Sequence, residues 1–226
     1  MTQQLESTEP RQDALRVVIV DDHDLFRTGL RNLLEEQGIQ VVGEAAAGAD
    51  AIRSVRELAP DVVVMDLNMP GMTGVEATRQ ITSIAPLTRV LVLTISDQDS
   101  DVLDAILAGA CGYLLKDSSI QDLMAGIRAA SIGESLISPN IASKVLQRVR
   151  STSSVPAIAA TIRAELSDRE IEVLKLIANG KDNAMIAGEL HISPKTVKNH
   201  ISNILMKLQI DNRIQAAVYA VKSGIV

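Results

Sequence analysis

Residues 16–22 read RVVIVDD and residues 61–66 read DVVVMD, so that two apolar runs each end directly in a carboxylate. Continuous apolar runs separated by segments with helical leucine spacing indicate a parallel sheet that helices cover on both faces. We therefore predict an α/β domain with a doubly wound, five-stranded parallel sheet. The five predicted strands are Arg16–Val20, Gln40–Ala45, Asp61–Met65, Arg89–Thr94 and Cys111–Leu115.

The second part of the chain carries no strand signal and is predicted to be all-α. Residues 151–160 read STSSVPAIAA; they are uncharged, rich in small residues and contain Pro156, which is typical of a linker. Four helices are predicted beyond it, at about 168–179, 183–190, 194–208 and 212–223. The predicted organisation is a flexible N-terminal extension (1–15), the α/β domain (16–132), a linker (133–162) with a short helix at about 139–150, and a small all-α domain (163–226).

Composition describes an ordinary globular protein, and the charge is unevenly distributed along the chain. No apolar run reaches the roughly 18 residues of a membrane span, and the first residues lack the apolar core of a signal peptide, so we expect a cytoplasmic protein with no membrane contact. Residues 1–150 contain 13 Lys and Arg against 21 Asp and Glu, whereas residues 163–226 contain 9 against 7. This asymmetry fits a regulatory domain joined to a nucleic-acid reader. The single cysteine, Cys111, is interpreted as a small buried hydrophobic residue.

Polar residues stand where the predicted strands end. Asp21 and Asp22 follow the first strand and Asp66 follows the third, and the carboxyl ends of parallel strands meet at one edge of the sheet. Clustered carboxylates repel each other unless a cation binds, and Mg²⁺ suits carboxylate oxygens together with a phosphate. Thr94 ends the fourth strand and Lys116 follows the fifth. The set predicts a site where the Asp66 carboxylate accepts a phosphoryl group.

Each of these residues also has a purely structural interpretation. Asp22 or Asp24 could cap the first helix, and Thr94 could bond to the backbone. Tyr113 could simply belong to the core, and His23 is interpreted as a loop residue rather than a metal ligand. The coincidence of five such residues at strand ends favours the site over the separate structural interpretations.

The segments DDH (21–23), VVVMDLNMPGMTG (62–74), LT (93–94) and GYLLKD (112–117) resemble the receiver domain of response regulators over residues 16–130. The resemblance implies a flavodoxin-like fold and phosphorylation of Asp66 by a sensor histidine kinase. It further implies that Lys116 pairs with the phosphoryl oxygens and that Thr94 and Tyr113 form a switch in which the ring turns inward. Many receivers follow the lysine with a proline, often in a cis bond, where this chain has Asp117. The implied ligands of Mg²⁺ are Asp21, Asp22, Asp66 and the backbone carbonyl of Asn68.

Capping signals divide the C-terminal helices. Ser167 is followed three residues later by Glu170, which is a capping box, and Ser193 precedes Pro194, which is an N-cap followed by proline at the first helical position. Residues 184–190 form a short helix, and residues 191–194 form the turn to the next one. Two helices joined by so short a turn predict a helix-turn-helix.

The second helix of this motif has one apolar and one polar face. The apolar positions share a stripe: Val197, Ile201, Ile204, Leu205 and Leu208. The opposite face carries Lys195, Lys198, Asn199 and Ser202, a polar and cationic surface that fits a major groove. By pattern alone, the solvated face of an ordinary bundle helix is an equally good interpretation.

Residues 166–220, beginning LSDREIEVLKLIANG and continuing through HISPKTVKNHISNILMKL, resemble the LuxR-type DNA-binding domain. With the receiver, the chain is similar to the NarL/FixJ class of response regulators over nearly its full length. The resemblance implies binding to a double-stranded DNA operator and a homodimer on activation, with contacts through Ala216, Ala217, Ala220 and Val221. The residues predicted to bind DNA are Asn183, Lys195, Thr196, Lys198, Asn199, His200, Ser202 and Lys207.

These observations predict a two-component response regulator and transcription factor rather than an enzyme, in which phosphorylation of Asp66 controls dimerisation and DNA binding. One alternative is a regulator that works without phosphorylation and uses the receiver as an interaction surface; the complete acidic site argues against it. Another is a phosphohydrolase with an aspartyl intermediate, against which the lack of a substrate-specificity insertion argues.

Overall fold

The computed structural model describes residues 14–96, 98–137 and 166–226. The predicted extension lies almost wholly outside these residues, and the predicted short helix at about 139–150 lies entirely outside them. The boundaries of the predicted domains remain predictions.

The first part of the chain forms a parallel sheet in the strand order β2-β1-β3-β4-β5-β6. All five predicted strands are confirmed to within one residue. A sixth strand was missed because its two residues are too short to show a period, and it extends the sheet past the predicted domain end at 132. The strands are β1 (Arg16–Val20), β2 (Gln40–Ala45), β3 (Val62–Met65), β4 (Arg89–Thr94), β5 (Gly112–Leu115) and β6 (Leu136–Ile137).

Helices cover both faces of the sheet, as continuous apolar strands require. The four residues of β3 are all buried, as are the last four of β1. Helices α1 and α5 supply the core on one face, with residues such as Leu34 and Ile127, and α2 and α3 supply the other, with residues such as Val55 and Ile81. The helices are α1 (Asp24–Glu36), α2 (Gly48–Leu58), α3 (Gly74–Ile84), α4 (Asp99–Leu107) and α5 (Ile120–Ser131).

The start of α1 corrects one structural interpretation made from the sequence. His23, not Asp22 or Asp24, is the N-cap residue of this helix, and no side chain caps it. Asp24 is the first helical residue, where its charge favours the positive end of the helix dipole. Asp22 therefore does not cap α1, and its carboxylate can act as a ligand instead.

Residues 166–226 contain four helices, as predicted: α6 (Asp168–Ala178), α7 (Asn183–Leu190), α8 (Pro194–Leu208) and α9 (Arg213–Lys222). The capping box of Ser167 and Glu170 forms, and the Ser193 hydroxyl caps α8 with Pro194 in its first turn. His191 ends α7 in the left-handed conformation, at φ 53°, which turns the chain sharply into α8. Among the described residues, no helix has both the length and the apolar character that crossing a bilayer demands.

Candidate phosphorylation site and nucleic-acid interface

Three carboxylates meet at the carboxyl edge of the sheet. Asp21 and Asp22 leave β1 and Asp66 leaves β3, and these strands are neighbours. One ligand atom from each of Asp21, Asp22, His23 and Asp66 lies within 4.8 Å of the others. Asp21 and Asp66 are each only 2% exposed. The expected convergence of the strand-end carboxylates is thus found, in a pocket that excludes most water.

Lys116 reaches into this pocket from the end of β5. Its Nζ lies 2.6 Å from Asp21 Oδ2 and 2.8 Å from Asp66 Oδ2, and it stands 4.5 Å from the centroid of the Phe26 ring. Burial disfavours the charged ammonium, but the hydrogen bonds to Asp21 and Asp66 outweigh it and raise the pKa of Lys116. The lysine is therefore a permanent cation beside the phosphoacceptor candidate.

The backbone around Asp66 holds its carboxylate in place. Asp66 Oδ1 accepts hydrogen bonds from the amide of Leu67 at 2.7 Å and, more weakly, from that of Asn68 at 3.5 Å. Helix α3 begins so close to Asp66 that a Cβ on Gly74 would lie 2.0 Å from the Asp66 carbonyl oxygen. Sequence reasoning missed Gly74, although it closes the quoted segment VVVMDLNMPGMTG.

The donor set fits a divalent cation. Asp22 Oδ1 is buried and accepts no hydrogen bond from the residues that the structure describes, and His23 Nδ1, 2.8 Å away, offsets its charge only when the imidazole is protonated. A buried carboxylate oxygen without a partner is costly, and a hard cation that prefers oxygen ligands would satisfy it. His23 lies against the cluster but its side chain is 69% exposed. The ligand role of the Asn68 carbonyl remains a prediction.

The two predicted switch residues lie behind the pocket. Thr94 and Tyr113 are fully buried, and the tyrosine ring lies inward. The Tyr113 hydroxyl donates to the Ser96 carbonyl at 2.8 Å, and the Ser96 amide donates to Thr94 Oγ1 at 3.4 Å. Both residues thus bond to the loop that leads into α4. No cis peptide occurs among the described residues, so the Lys116–Asp117 bond is trans.

Helix α8 presents the polar face that its sequence predicts. Val197, Ile201, Ile204 and Leu208 are buried. Lys195, Lys198, Asn199 and Ser202 are exposed, and Thr196 and His200 are half-buried. Lys207 departs from this face: its ammonium bonds to the buried Glu170 at 2.7 Å, so its charge serves the fold in this structure. The roles of all these residues toward DNA remain predictions.

Two of the predicted DNA-binding side chains contact the segment that follows α5. Lys198 Nζ donates to the Ile132 carbonyl at 3.2 Å, and Asn183 Nδ2 donates to Glu134 Oε1 at 3.2 Å. Arg213 Nη1 donates to Asn183 Oδ1 at 2.6 Å, and burial lowers the pKa of this arginine. Part of the candidate DNA-binding surface is therefore covered by the first domain.

A second contact joins the start of α9 to the last turn of α4 and to the loop that follows α4. Asn212 Nδ2 donates to the Ala110 carbonyl and Gln215 Nε2 donates to the Ile106 carbonyl, each at 3.0 Å, and both amide side chains are buried. Sequence reasoning missed both residues, because no local pattern distinguishes them from ordinary helix-start polar residues. The predicted dimer residues on α9 are largely inaccessible here: Ala216, Ala220 and Val221 are buried and Ala217 is half-buried.

Comparison with known families matches both parts of the chain. Residues 17–128 match the response regulator receiver domain, and residues 164–220 match the bacterial regulatory proteins of the luxR family. The first match spans the sheet from β1 to β5 and the acidic pocket, and the second spans the four C-terminal helices almost completely.

Individual relatives are similar over nearly the whole chain. The transcriptional regulatory protein LiaR of Bacillus subtilis is 46% identical over 213 residues, which are 94% of this chain and 99% of LiaR. Among solved structures, the response regulator ChrA of a heme-sensing two-component system is 37% identical with a TM-score of 0.52, covering 94% of this chain and 99% of ChrA. A structure of RcsB dimers bound to DNA is 26% identical with a TM-score of 0.54, covering 93% and 99% of the two chains.

Proposed function

The chain belongs to the transcriptional response regulators of two-component systems that join a receiver to a LuxR-type DNA-binding domain, and from this premise we propose that phosphorylation of Asp66 controls its binding to DNA. The family regulates transcription and is not a family of catalytic enzymes. The observation that carries the proposal is the buried pocket in which Lys116 contacts both Asp21 and Asp66.

The phosphoryl donor is a sensor histidine kinase, as a receiver domain implies. The Asp66 carboxylate forms the new bond to phosphorus while the phosphorus–nitrogen bond of the donor's phosphohistidine breaks, which yields an acyl phosphate. Asp21, Asp22, Asp66 and the Asn68 carbonyl would hold a magnesium ion, whose positive charge would offset the repulsion between carboxylates and phosphoryl oxygens. Lys116 supplies a second positive charge and pairs with the phosphoryl oxygens.

The phosphoryl group acts on the rest of the molecule by rearranging contacts near it. It adds nearly two negative charges, which draw the Lys116 ammonium and the Thr94 hydroxyl toward it. Thr94 and Tyr113 are both bonded to Ser96, so the loop before α4 follows their movement. The Ile106 carbonyl of α4 in turn accepts a hydrogen bond from Gln215 of α9, and the Ala110 carbonyl in the loop after α4 accepts one from Asn212, the N-cap residue of α9. A shift of α4 weakens this docking and releases the C-terminal helices.

Release exposes the DNA-binding surface. Lys198 and Asn183 leave their contacts to Ile132 and Glu134 and bind DNA, together with the exposed Lys195, Asn199 and Ser202, and with Thr196, His200 and Lys207. The α9 residues Ala216, Ala217, Ala220 and Val221 then become available for a homodimer. RcsB forms dimers on DNA, which supports the same assembly for this chain. Double-stranded DNA with paired half-sites is the partner that such a dimer fits.

The test compares the wild-type chain with Asp66→Asn, each with and without beryllofluoride and Mg²⁺ as a phosphate mimic. DNA sequences selected by the activated wild type serve as the probe, and ultracentrifugation reports the oligomeric state. We expect the mimic to raise DNA affinity and dimerisation of the wild type and to leave Asp66→Asn unchanged. Equal DNA affinity and equal mass with and without the mimic would contradict the proposal.

A second measurement separates this proposal from a regulator that works without phosphorylation. Acetyl phosphate and Mg²⁺ should add one phosphoryl group per wild-type chain and none to Asp66→Asn, as seen in the intact mass. A wild-type chain that binds DNA but accepts no phosphoryl group would favour the alternative.

A further inference from the structure

We infer that Arg27 is a positioning residue that fixes the β1–α1 loop, residues 21–23, in the geometry that binds the divalent cation. The inference rests on the proposed function of the acidic pocket and adds a residue whose ion pairs are with Asp24 and Glu44 and not with the proposed cation ligands. Arg27 lies in the first turn of α1, and its side chain is only 12% exposed.

The guanidinium of Arg27 joins three elements. Its Nη1 donates to the Asp21 carbonyl oxygen at 2.6 Å, its Nη2 donates to Asp24 Oδ1 at 2.6 Å, and its Nε lies 3.4 Å from Glu44 Oε2. The first bond holds the end of β1, the second holds the start of α1, and the third reaches β2. The loop between β1 and α1 is thus tied at both ends to one rigid planar group.

This placement matters because Asp21 and Asp22 are consecutive and their carboxylates share one short loop. The Asp21 amide donates to the Ala45 carbonyl at 3.1 Å, and the Asp21 carbonyl accepts from Arg27. Both backbone polar groups of Asp21 are therefore hydrogen-bonded. Without the second bond, the backbone at Asp21 can rotate and carry both carboxylates with it. A cation that requires a fixed arrangement of oxygens would then bind more weakly.

Arg27 acts through geometry rather than through neutralisation of the pocket. Its contact with Asp21 is to the backbone carbonyl, and the carboxylates that it pairs with are those of Asp24 and Glu44. A lysine retains the charge but offers one ammonium in place of a planar fork, and so cannot make the three contacts together. The structure therefore predicts that charge alone does not replace this residue.

Arg31 provides a matched control one turn further along α1. It shares Glu44 with Arg27 through its Nε, and its Nη1 donates to Glu35 at 3.0 Å and to the Val41 carbonyl at 3.3 Å. The hydrogen bond to Glu44 raises the pKa of Arg31, and the control therefore removes a guanidinium that also pairs with Glu44. Within the described part of the chain, none of its hydrogen bonds or ion pairs involves residues 21–23.

The experiment measures Mg²⁺ binding by isothermal titration calorimetry on the full-length wild type, Arg27→Lys, Arg27→Gln and Arg31→Gln. We expect both Arg27 variants to bind Mg²⁺ about tenfold more weakly, the lower end of the effect of residues that support metal ligands, and Arg31→Gln to stay within about twofold of the wild type. In labelling with acetyl phosphate, the Arg27 variants should need a higher Mg²⁺ concentration than the wild type to reach half of their maximal rate. Their maximal rate at saturating Mg²⁺ should change by a smaller factor. A general loss of structure would instead lower the maximal rate as well.

Two results would overturn the inference: wild-type Mg²⁺ affinity in Arg27→Lys, or an equal loss in Arg31→Gln and Arg27→Gln. Thermal unfolding checks that each variant is folded, and Arg27→Lys, the milder change, decides the question if Arg27→Gln does not fold. A wild-type chain that neither binds Mg²⁺ nor accepts a phosphoryl group would refute the proposed function itself. If the wild type binds Mg²⁺ and accepts a phosphoryl group, and Arg27→Lys does both equally well, only the role of Arg27 is refuted.

Discussion

At the scale of single residues, the geometry of the pocket depends on a glycine without a side chain as well as on the charged groups. Gly74 begins α3 directly against the Asp66 backbone, where any larger side chain would meet the carbonyl oxygen at 2.0 Å. Gly29, in the middle of α1, has no atom within 4 Å of the position that a Cβ would take. The two glycines are therefore opposite cases of the same residue type in a helix.

Gly74→Ala should lower the free energy of unfolding by about 2–3 kcal/mol, because the clash is with backbone that cannot move aside cheaply. Gly29→Ala should raise it by about 0.5–1 kcal/mol, since an alanine in a helix interior costs less conformational entropy than a glycine. Urea denaturation followed by circular dichroism measures both. A Gly74→Ala variant as stable as the wild type would show that α3 does not approach Asp66 so closely.

Cys111 illustrates how burial alone changes the chemistry of one group. Its side chain is 3% exposed, and burial raises the pKa of the thiol to about 12. At pH 8 roughly one part in ten thousand is then thiolate, compared with about a tenth or more for a free cysteine. We expect no reaction of the native chain with a disulfide reagent at pH 8 within minutes, and one equivalent of reaction in urea. Rapid stoichiometric labelling of the native chain would contradict the burial.

At the scale of secondary-structure elements, one buried carboxylate links α6 to α8 in the C-terminal domain. Glu170 accepts hydrogen bonds from the Ser167 amide and hydroxyl at 2.8 and 2.9 Å and from Lys207 Nζ at 2.7 Å. It thereby ties the first turn of α6 to the last turn of α8. Burial would raise the pKa of Glu170, but the hydrogen bonds from Lys207 and Ser167 outweigh burial and lower it.

Lys207→Met should lower the free energy of unfolding at pH 7 by about 1.5–3 kcal/mol, the usual contribution of a hydrogen bond to a charged group. Because the folded-state pKa of Glu170 lies below its unfolded-state value, the stabilisation is present above the unfolded-state pKa of about 4.3 and is lost as pH falls through the folded-state pKa. The difference between wild type and variant should therefore shrink below about pH 4.

The control for this prediction is Lys195→Met, which removes an exposed charge from the same helix. It should change the free energy of unfolding by less than about 0.5 kcal/mol at pH 7. Denaturant titrations of the three proteins at several pH values measure both quantities. A Lys207→Met effect that stays constant from pH 7 to pH 3 would exclude the Glu170 carboxylate as its origin.

At the scale of the whole molecule, the contact between the two domains uses side chains of the C-terminal helices that the proposed function assigns to DNA binding. The start of α9 docks on α4 and the loop after it through Gln215 and Asn212, and the segment after α5 bonds to Lys198 and Asn183. A closed arrangement of this kind competes with DNA for the same side chains. Anything that weakens the closed arrangement should therefore strengthen DNA binding.

Glu134→Gln should raise the DNA affinity of the unphosphorylated chain about fivefold, which corresponds to one weakened charge-assisted hydrogen bond of about 1 kcal/mol. Glu172→Gln is the control, since it removes an equal charge from an exposed position that pairs with Arg169 on α6 and, within the described ranges, has no hydrogen bond or ion pair to the receiver. Fluorescence anisotropy at fixed salt measures the affinities. If both variants gain equally in DNA affinity, the gain comes from the change in net charge and not from weaker contact between the two domains.

Much of the fold and of the acidic pocket could be predicted because the relevant signals are local. A run such as VVVM reveals a buried strand, and a capping box reveals a helix start, within four to six residues. In a parallel sheet, strand order then brings Asp21, Asp66 and Lys116 together at one edge, although they are far apart in the chain. The two-residue strand β6 offers too few positions for any period and was missed.

What the amino-acid order determined by itself is therefore the list of elements and the chemistry at their ends, because periodicity and capping depend on neighbouring residues. Tertiary structure alone decided which distant groups meet: Arg27 with Glu44, Glu134 with Asn183, and Gln215 with the Ile106 carbonyl 109 residues away. The physical reason is that these contacts join side chains on different elements, whose partners depend on how whole helices pack. No short-range pattern records that packing.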